Sequence, residues 1–442
     1  MNKFDELRAK YDTFIYHSYD ITDKGFSFRF TIGEYEFLPA WEWGSLRVPE
    51  NFDRKALESI IFAIGMTELV SYWKCACPPK VLVKCGALDG QSIDWWKKLY
   101  FGGLGEFFYR NGIDTDIGSF MTIEAENSSP APFSDPFEGK RTGCLIPVGG
   151  GKDSIVTLEL LKEHNGGKQD DDLCYIINPR KTTLDCAHTA GYPDERIVGL
   201  KRSIHPELLA RNADGWLNGH TPFSAIVAFS AYLAAFVTGK KYIVLSNESS
   251  ANEGNVSGTG VNHQYSKSTA FERDFREYCE RVFSAPPEYF SLLRPWSEWQ
   301  IAKRFVTYPK YLPVFRSCNL GSKTDSWCGK CAKCLYVYIM LAAFIGDEEL
   351  IGIFGSDMLD DEQFDGLFNG LVYADLDKPF ECVGTRAEIQ LALYTAYKRR
   401  EGGKLPLLLK RYISAHPERP VSLDDFFDND NFVPDELIGL LK

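Results

Sequence analysis

The chain has 442 residues, of which 44% are hydrophobic and 14% aromatic. This composition is typical of a folded globular protein and excludes a disordered, collagen-like or coiled-coil chain. The 49 basic and 61 acidic residues give a formal net charge of −12, which argues against a broad surface for DNA or RNA, so we expect no nucleic-acid partner.

The start of the chain has no signal-peptide pattern. The longest stretch without charged residues, 215–239, favours a buried helix over a membrane span, because its continuous apolar part begins only after Pro222. We therefore expect a cytoplasmic protein without membrane insertion, whose twelve cysteines are thiols or metal ligands. The sequence makes no prediction of the oligomeric state.

Residues 1–135 predict a separate N-terminal α+β domain. Alternating and helical patterns predict strands within 26–37, a helix at 53–73, a short strand at 80–84 and an aromatic-rich helix at 93–110. Three prolines in the polar stretch 128–141 predict a linker or exposed loop.

Residues 136–317 predict an α/β domain. Short apolar runs alternate there with helical patterns, a rhythm typical of a parallel sheet with helices on both faces. The runs are 144–148, 173–177, 197–200, 242–245 and 289–293, and the helical patterns are 154–164, 183–190, 222–237, 268–283 and 298–305. A cysteine knuckle with a helix follows at 318–345, and 346–442 predicts a mostly helical C-terminal region.

A glycine loop lies between the first of these apolar runs and the next helix. Glycines let a ligand approach the backbone closely, and the first amides of the helix form an anion site to which a lysine adds positive charge. Asp153 or Ser154 can cap this helix. The residues predicted to bind the ligand are Gly149, Gly150, Gly151, Lys152, Asp153 and Ser154.

The glycine loop does not fit a Walker A loop, because Ile146 occupies the position of that motif's first glycine. It does not fit the dinucleotide fingerprint either, because Ser154 occupies the position of the third glycine. It resembles the S-G-G-x-D-S loop of the PP-loop ATP pyrophosphatases, with Gly149 at the first Ser. This resemblance implies ATP binding and cleavage of ATP beside the α-phosphorus, whereas a generic strand–turn–helix corner is the alternative. Asn178 ends the neighbouring strand, where it either lies beside adenine or serves as a turn residue.

Four cysteines occur as C-x9-C-x2-C-x2-C, at Cys318, Cys328, Cys331 and Cys334. Two overlapping C-x2-C steps suit a tetrahedral thiolate site, and with no ligand position left open we expect a structural Zn²⁺. Free buried thiols and an iron–sulfur cluster are the alternatives. Of the scattered cysteines, Cys186 lies near the predicted site, where it is either a reactive thiol or a small buried hydrophobe.

A dense set of polar residues follows the fourth apolar run, at 244–268, and so lies at the same sheet edge. His263 is a candidate general base, as is His220 before the long apolar helix, while Tyr265 and Lys267 could carry charge at the substrate. Glu248 could hold Mg²⁺ together with Asp153. A mobile surface loop and a capping histidine are the alternatives. The candidate substrate-binding residues are Asn218, Asn247, Glu248, Asn252, Glu253, Asn255, Gln264 and Ser266.

The segments IPVGGGKDS, LNGHTPFSA, LSNESSANEGN, VNHQYSKS, YFSLLRP and C-x-x-C-A-K-C, taken in order, resemble the MurL family of UDP-N-acetyl-α-D-muramoyl-L-alanyl-L-glutamate epimerases. The resemblance covers residues 143 to about 355. It implies inversion of the terminal L-glutamate of a UDP-muramoyl dipeptide, with ATP and Mg²⁺ consumed to AMP and pyrophosphate through an adenylated carboxyl group. Peptidoglycan precursor synthesis is then the implied role.

Two other functions fit parts of the sequence. The loop and the cysteine knuckle alone would suit another PP-loop adenylating enzyme, similar to 7-cyano-7-deazaguanine synthase or to a tRNA thiolase. A non-catalytic ATP-binding sensor is a further alternative, although the crowded polar segment argues against it because a sensor needs fewer polar groups.

Overall fold

The computed structural model describes residues 2–50, 52–129, 133, 135–137, 139–167, 171–254, 261–283 and 287–442. Within them, strands form one mixed sheet. The strands are β1 Thr13–Ile21, β2 Gly25–Ile32, β3 Tyr35–Phe37, β4 Ala40–Glu42, β5 Lys80–Val83, β6 Thr122–Ala125, β7 Thr142–Pro147, β8 Leu173–Ile177, β9 Ile197–Ser203, β10 Lys240–Leu245 and β11 Glu288–Ser291. Their order is β11-β10-β7-β8-β9-β4-β2-β1-β5-β6, with β3 paired to β2.

Helices cover both faces of the central strands, and they make up most of the secondary structure that follows β11. They are α1 Lys3–Lys10, α2 Arg54–Trp73, α3 Gly90–Gly103, α4 Gly105–Arg110, α5 Lys152–His164, α6 Lys181–Ala190, α7 Pro206–Ala213, α8 Phe223–Thr238, α9 Thr269–Val282, α10 Glu298–Phe305, α11 Ala332–Ala342, α12 Asp347–Phe354, α13 Asp365–Val372, α14 Arg386–Arg399, α15 Leu407–Ala415 and α16 Asp435–Ile438.

The predicted α/β character of the central region is confirmed. The five apolar runs become β7 to β11, which pair in parallel, and the five helical patterns become α5, α6, α8, α9 and α10. Successive side chains enter opposite cores: Leu145 belongs to the core that includes α2 and α8, whereas Ile146 belongs to the core that includes α5, α10 and α11. The uniformly apolar strands therefore reflect burial on both faces.

The N-terminal strands continue the same sheet, because β4 pairs antiparallel with β9. A buried polar contact fastens this junction: the carboxylate of Glu68 on α2 accepts a hydrogen bond from Trp41 Nε1 at 2.9 Å and pairs with Arg202 on β9. Residues on both sides of position 135 thus share one sheet and one core, while the domain boundaries themselves stay a prediction.

Helix α2 is the one helix in the described part of the chain that is long and apolar enough to cross a membrane. Inside the fold, 89% of its apolar window is buried, as in a core helix. The apolar stretch at 215–239 forms α8, which is also buried.

Candidate active site

The glycine loop joins β7 to α5 at the carboxyl edge of the parallel strands. Gly150 has a φ of 84°, a left-handed conformation that favours glycine. Helix α5 begins at Lys152 with Gly151 at its N-cap and no side-chain cap. The prediction that Asp153 or Ser154 caps the helix is therefore wrong, because both already lie in its first turn.

A cavity of about 390 Å³ opens beside the loop. Gly149 and Asn178 line it, as do Arg180 and Lys323, two cations that sequence analysis did not single out. A Cβ at Gly149 would meet no atom within 4 Å, so the glycine leaves open space toward the cavity. The size, glycine lining and positive charge suit a nucleotide.

Asn178 has a φ of 51°, and its side chain is hydrogen-bonded to the backbone of Arg202 on β9, with Oδ1 accepting at 2.7 Å and Nδ2 donating at 3.0 Å. The side chain therefore serves the turn after β8, although the residue still lines the cavity.

Lys152 is buried, with 2% of its side chain exposed, and its ammonium contacts the carboxylates of Asp153 and Glu298. Burial opposes the charged form, but these two carboxylates raise the pKa of Lys152. In this structure the lysine thus neutralises an acidic cluster rather than standing open to a phosphate.

Three carboxylates contribute to this acidic cluster. Burial raises the pKa of Glu298, Lys152 opposes that shift, and the negative charges of Asp153 and Glu248 add to it. The charges of the three carboxylates therefore act on one another. Oxygen donors of this kind fit Mg²⁺, the ion for which Asp153 and Glu248 were predicted.

The two predicted histidines lie side by side. The ring centroids of His220 and His263 are 4.2 Å apart, and both rings are largely buried, with 20% and 11% of the side chain exposed. His263 contacts Glu106 on α4 through Nδ1, while Nδ1 of His220 lies 3.8 Å from the same carboxylate. Lys74 holds the His220 loop by donating to the backbone oxygens of Gly219 and His220.

Their surroundings push the two histidines toward opposite charge states. Burial, and then the positive charges of His263 and Lys74, lower the pKa of His220 to about 3. Burial also opposes charge on His263, but hydrogen bonds to Cys382 and Glu106 raise its pKa to about 9. His220 is therefore neutral at neutral pH, and His263 is protonated.

The side chains of Glu106, His220 and His263 approach one another closely enough to share a cation. Lys74, Lys267 and Arg110 nevertheless all act on His220 as positive charges, and such surroundings disfavour a bound metal ion. We therefore interpret the cluster as a site of proton transfer.

Lys267 connects the histidines to the glycine loop. Burial opposes its charge, but Cys382, Glu248 and Asp153 raise the pKa of its ammonium. The loop carboxylate of Asp153 and the segment that carries His263 thus belong to one cluster of interacting charges, as an active site built from both would require.

Several other predicted site residues make packing contacts or hydrogen bonds with neighbouring helices and strands. The ring of Tyr265 lies directly over Gly102 of α3, and its hydroxyl pairs with Asp274. Asn247 donates to Ser291 Oγ at 3.0 Å, and Asn252 exchanges hydrogen bonds with Thr269. These side chains tie the polar segment to α3, α9 and β11.

The remaining predicted residues are scattered around the cluster. Glu253 pairs with the buried Lys378, Gln264 and Ser266 are buried, and the exposed Asn218 accepts a hydrogen bond from the amide of Gly219. Asn255 lies outside the described residues. Cys186 lies behind the glycine loop, with its sulfur 3.7 Å from the carbonyl oxygen of Gly150, and burial raises its pKa to about 12.

The four knuckle cysteines converge. The sulfur of Cys331 lies 3.7 Å from that of Cys318 and 3.5 Å from that of Cys334, and the sulfurs of Cys328 and Cys334 are 3.7 Å apart. A zinc ion with Zn–S bonds of about 2.3 Å requires sulfurs about 3.8 Å apart at the corners of a tetrahedron. The spacing fits a single tetrahedral metal ion.

Sequence analysis missed Glu106, Glu298 and Cys382. Glu106 carried one available signal, since it is a carboxylate in the aromatic helix GEFFYR, where a buried charge requires a partner. Glu298 is the first residue of α10, where an acidic residue is ordinary. Cys382 lies in an irregular segment between α13 and α14 without any motif.

Comparison with known proteins covers nearly the whole chain. A family model described as the MurL N-terminal domain matches residues 5–292, and one described as the MurL C-terminal domain matches residues 314–424. No solved structure matches the chain.

Three curated relatives carry the name UDP-N-acetyl-α-D-muramoyl-L-alanyl-L-glutamate epimerase. The protein of Xanthomonas oryzae pv. oryzae is 37% identical over 366 residues, which are 81% of this chain and 78% of that protein. The protein of Salinispora tropica is 32% identical over 418 residues, 92% of this chain and 89% of its own length. A Micromonospora protein is 33% identical over 376 residues, 84% of this chain and 81% of its own.

Proposed function

The chain belongs to the MurL family, and from this premise we propose that it is an ATP-dependent epimerase of the terminal L-glutamate of UDP-MurNAc-L-Ala-L-Glu. In this proposal the α-carboxyl group is adenylated, the α-carbon is inverted, and AMP and diphosphate are released. We further propose that the central sheet is of the PP-loop type and that the enzyme acts in cytoplasmic peptidoglycan precursor synthesis.

The observation that carries the proposal is the single charge cluster that joins the glycine loop to the histidines. Asp153 of the loop interacts with Lys267, and Lys267 interacts with Cys382, which is hydrogen-bonded to His263. A carboxyl group activated at the loop would therefore lie near groups that can move a proton.

Activation is needed because the α-proton beside a free carboxylate is barely acidic. Removing it would place a second negative charge next to the first. A carboxyl group joined to AMP is a mixed anhydride, whose carbonyl oxygen can accept the developing enolate charge. Positive groups near that oxygen would stabilise the enolate further, and the ammonium of the half-buried Lys267 is available for this role.

Contrasting protonation states help to divide the acid and base roles. His263 is protonated at neutral pH and fits the proton donor, with Glu106 holding its ring. His220 is neutral and can accept a proton, but its low pKa makes it a weak base. Lys267 is a second protonated donor, and Tyr265 keeps a supporting role through its packing on α3.

The cavity beside Gly149 would hold ATP, with Arg180, Lys323 and the first amides of α5 near the phosphates. Asp153 and Glu248 would supply oxygen ligands to Mg²⁺, which supplies charge neutralisation at the phosphates when bound. The four-cysteine site would hold a structural Zn²⁺.

The proposal is tested by incubating the protein with UDP-MurNAc-L-Ala-L-Glu, ATP and Mg²⁺. We expect D-glutamate in the product and AMP and diphosphate in solution, with neither formed when one substrate is omitted. ATP binding without diphosphate release would instead indicate a nucleotide sensor. Diphosphate release with a different acceptor and no D-glutamate would indicate another adenylating enzyme.

A further inference from the structure

Cys382 differs from the other cysteines that lie outside the four-sulfur cluster. Those seven have pKa values raised by burial. Burial also opposes a thiolate at Cys382, but Lys267, a hydrogen bond from His263 and the charge of Lys333 lower its pKa to about 6. Cys382 is half-buried, whereas Cys75, Cys77, Cys144, Cys174, Cys186 and Cys279 are buried.

The segment around Cys382 is fixed in place from three sides. Lys333 at the start of α11 contacts the backbone oxygen of Cys382. Lys378, with 1% of its side chain exposed, pairs with Glu253 and donates to the backbone oxygen of Gly384 at 3.2 Å. Two buried ammonium groups thus fix the backbone at Cys382 and at Gly384.

The third side is α4, the helix that carries Glu106. The hydroxyl of Tyr109 donates to Asp377 at 2.7 Å, and the guanidinium of Arg110 lies over the ring of Phe380, 5.2 Å from its centre. These contacts dock the Cys382 segment against α4. The C-terminal region therefore completes a site that otherwise consists of the N-terminal and central regions.

Glu106, His263 and Cys382 form a connected series. Nδ1 of His263 contacts the Glu106 carboxylate, and the same ring stabilises the thiolate form of Cys382. A reactive side chain within reach of an imidazole, which is in turn oriented by a carboxylate, is the arrangement by which proteins activate a thiol. The positive charge of Lys267 acts on Cys382 as well, so two cations stabilise the thiolate.

We propose that Cys382 is the base that removes the α-proton from the activated glutamyl residue, an inference that rests on the proposed function. The sulfur of the thiolate forms an S–H bond as the Cα–H bond breaks, and the electron pair moves into the carbonyl of the mixed anhydride. A proton returns to the opposite face of Cα from whichever of His263 and Lys267 lies across the bound substrate carbon from the sulfur. The thiol then gives its proton to the side chain that has lost one, which restores the starting charges.

Cys382 suits this role better than His220 does. A base is most effective when its pKa lies near the operating pH, and about 6 is closer to neutrality than about 3. The role also explains why His263 and Glu106 lie here. The Glu106 carboxylate contacts the His263 imidazolium, and the positive charge of this ring stabilises the Cys382 thiolate.

The test compares Cys382→Ala and Cys382→Ser with a matched control, Cys85→Ser, which replaces another partly exposed cysteine, whose sulfur lies at the carbonyl oxygen of Tyr16. Each protein receives the UDP-muramoyl dipeptide, ATP and Mg²⁺ in D₂O. We expect both Cys382 variants to retain AMP formation but to lose about 10²–10⁴-fold in deuterium uptake at Cα, and the control to match the wild type.

Wild-type activity is measured first, so a wild type that forms neither AMP nor D-glutamate overturns the proposed function itself. If the wild type is active and the Cys382 variants exchange the α-proton at the same rate, Cys382 is not the base. A covalent glutamyl adduct on Cys382 in the intact mass of the wild type, with AMP turnover lost in both variants, would also overturn the proposal, since the thiol would then be a nucleophile.

A second measurement does not depend on activity. Alkylation of Cys382 by iodoacetamide, followed at this peptide by mass spectrometry, should rise with a midpoint near pH 6, and His263→Gln should move the midpoint upward. A midpoint near the ordinary value of about 8.5 in the wild type would contradict a stabilised thiolate.

Discussion

The rings of His220 and His263 lie with their centres 4.2 Å apart, yet the two imidazoles differ in charge. His263 gains a proton from its contacts with Glu106 and Cys382, whereas burial beside that positive charge keeps His220 neutral. Two similar side chains in contact are thereby prepared for different roles.

The pH dependence of kcat/KM should be bell-shaped. The active form needs a deprotonated Cys382 and a protonated His263, so activity should rise through about pH 6 and fall above about pH 9. Because the two groups interact, the apparent values belong to the pair. Initial rates of D-glutamate formation between pH 5 and 10 measure this profile, and a flat response across that range would contradict the assigned charge states.

His263→Ala should separate the two half-reactions. AMP formation should persist, because the glycine loop is intact, while epimerisation should fall by about 10²–10⁴-fold. Parallel assays of AMP and of deuterium at Cα measure both, with His188→Ala, an exposed histidine, as the control. Loss of AMP formation along with exchange would show that His263 also serves adenylation.

Lys152→Ala should reduce both stability and AMP formation. The substitution leaves the carboxylate of Glu298 buried without its ammonium partner, which costs about 3–5 kcal/mol in the free energy of unfolding. The double variant Lys152→Met with Glu298→Gln removes both charges, so denaturant unfolding should show recovered stability while AMP formation stays low. Full AMP formation in either variant would remove Lys152 from the nucleotide site.

The cysteine knuckle should contain one zinc per chain, measured by elemental analysis of the purified protein. Cys331→Ser should lose the metal and lower the thermal midpoint, because the four sulfurs lie at distances that suit one tetrahedral ion. Cys279→Ser, in the buried core of α9, should keep the zinc. Stoichiometric iron instead of zinc would contradict the assignment.

Sequence patterns predicted the central sheet well because the apolar runs and helices are local features. The run at 173–177 is β8 and the pattern at 298–305 is α10, with the same bounds. Pairing of β4 with β9 was not predictable in this way, since it joins residues about 160 positions apart and depends on contacts such as that of Trp41 with Glu68.

The candidate site was only half predictable for the same reason. His220 and His263 stand in polar segments that mark them as candidates, but their charge states come from Glu106, Lys74 and Cys382, which reach them from other regions. Lys152 was expected to face a phosphate, and its contact with Glu298 arises only when α10 packs beside α5.

The central claim is that ATP activates the α-carboxyl group before the α-carbon is inverted. Its most direct test uses the UDP-muramoyl dipeptide with ¹⁸O in both oxygens of that carboxyl group. The account predicts that one ¹⁸O appears in AMP, because hydrolysis at the acyl carbon leaves a carboxyl oxygen on the phosphorus. D-glutamate formed with unlabelled AMP, or without ATP, would contradict it.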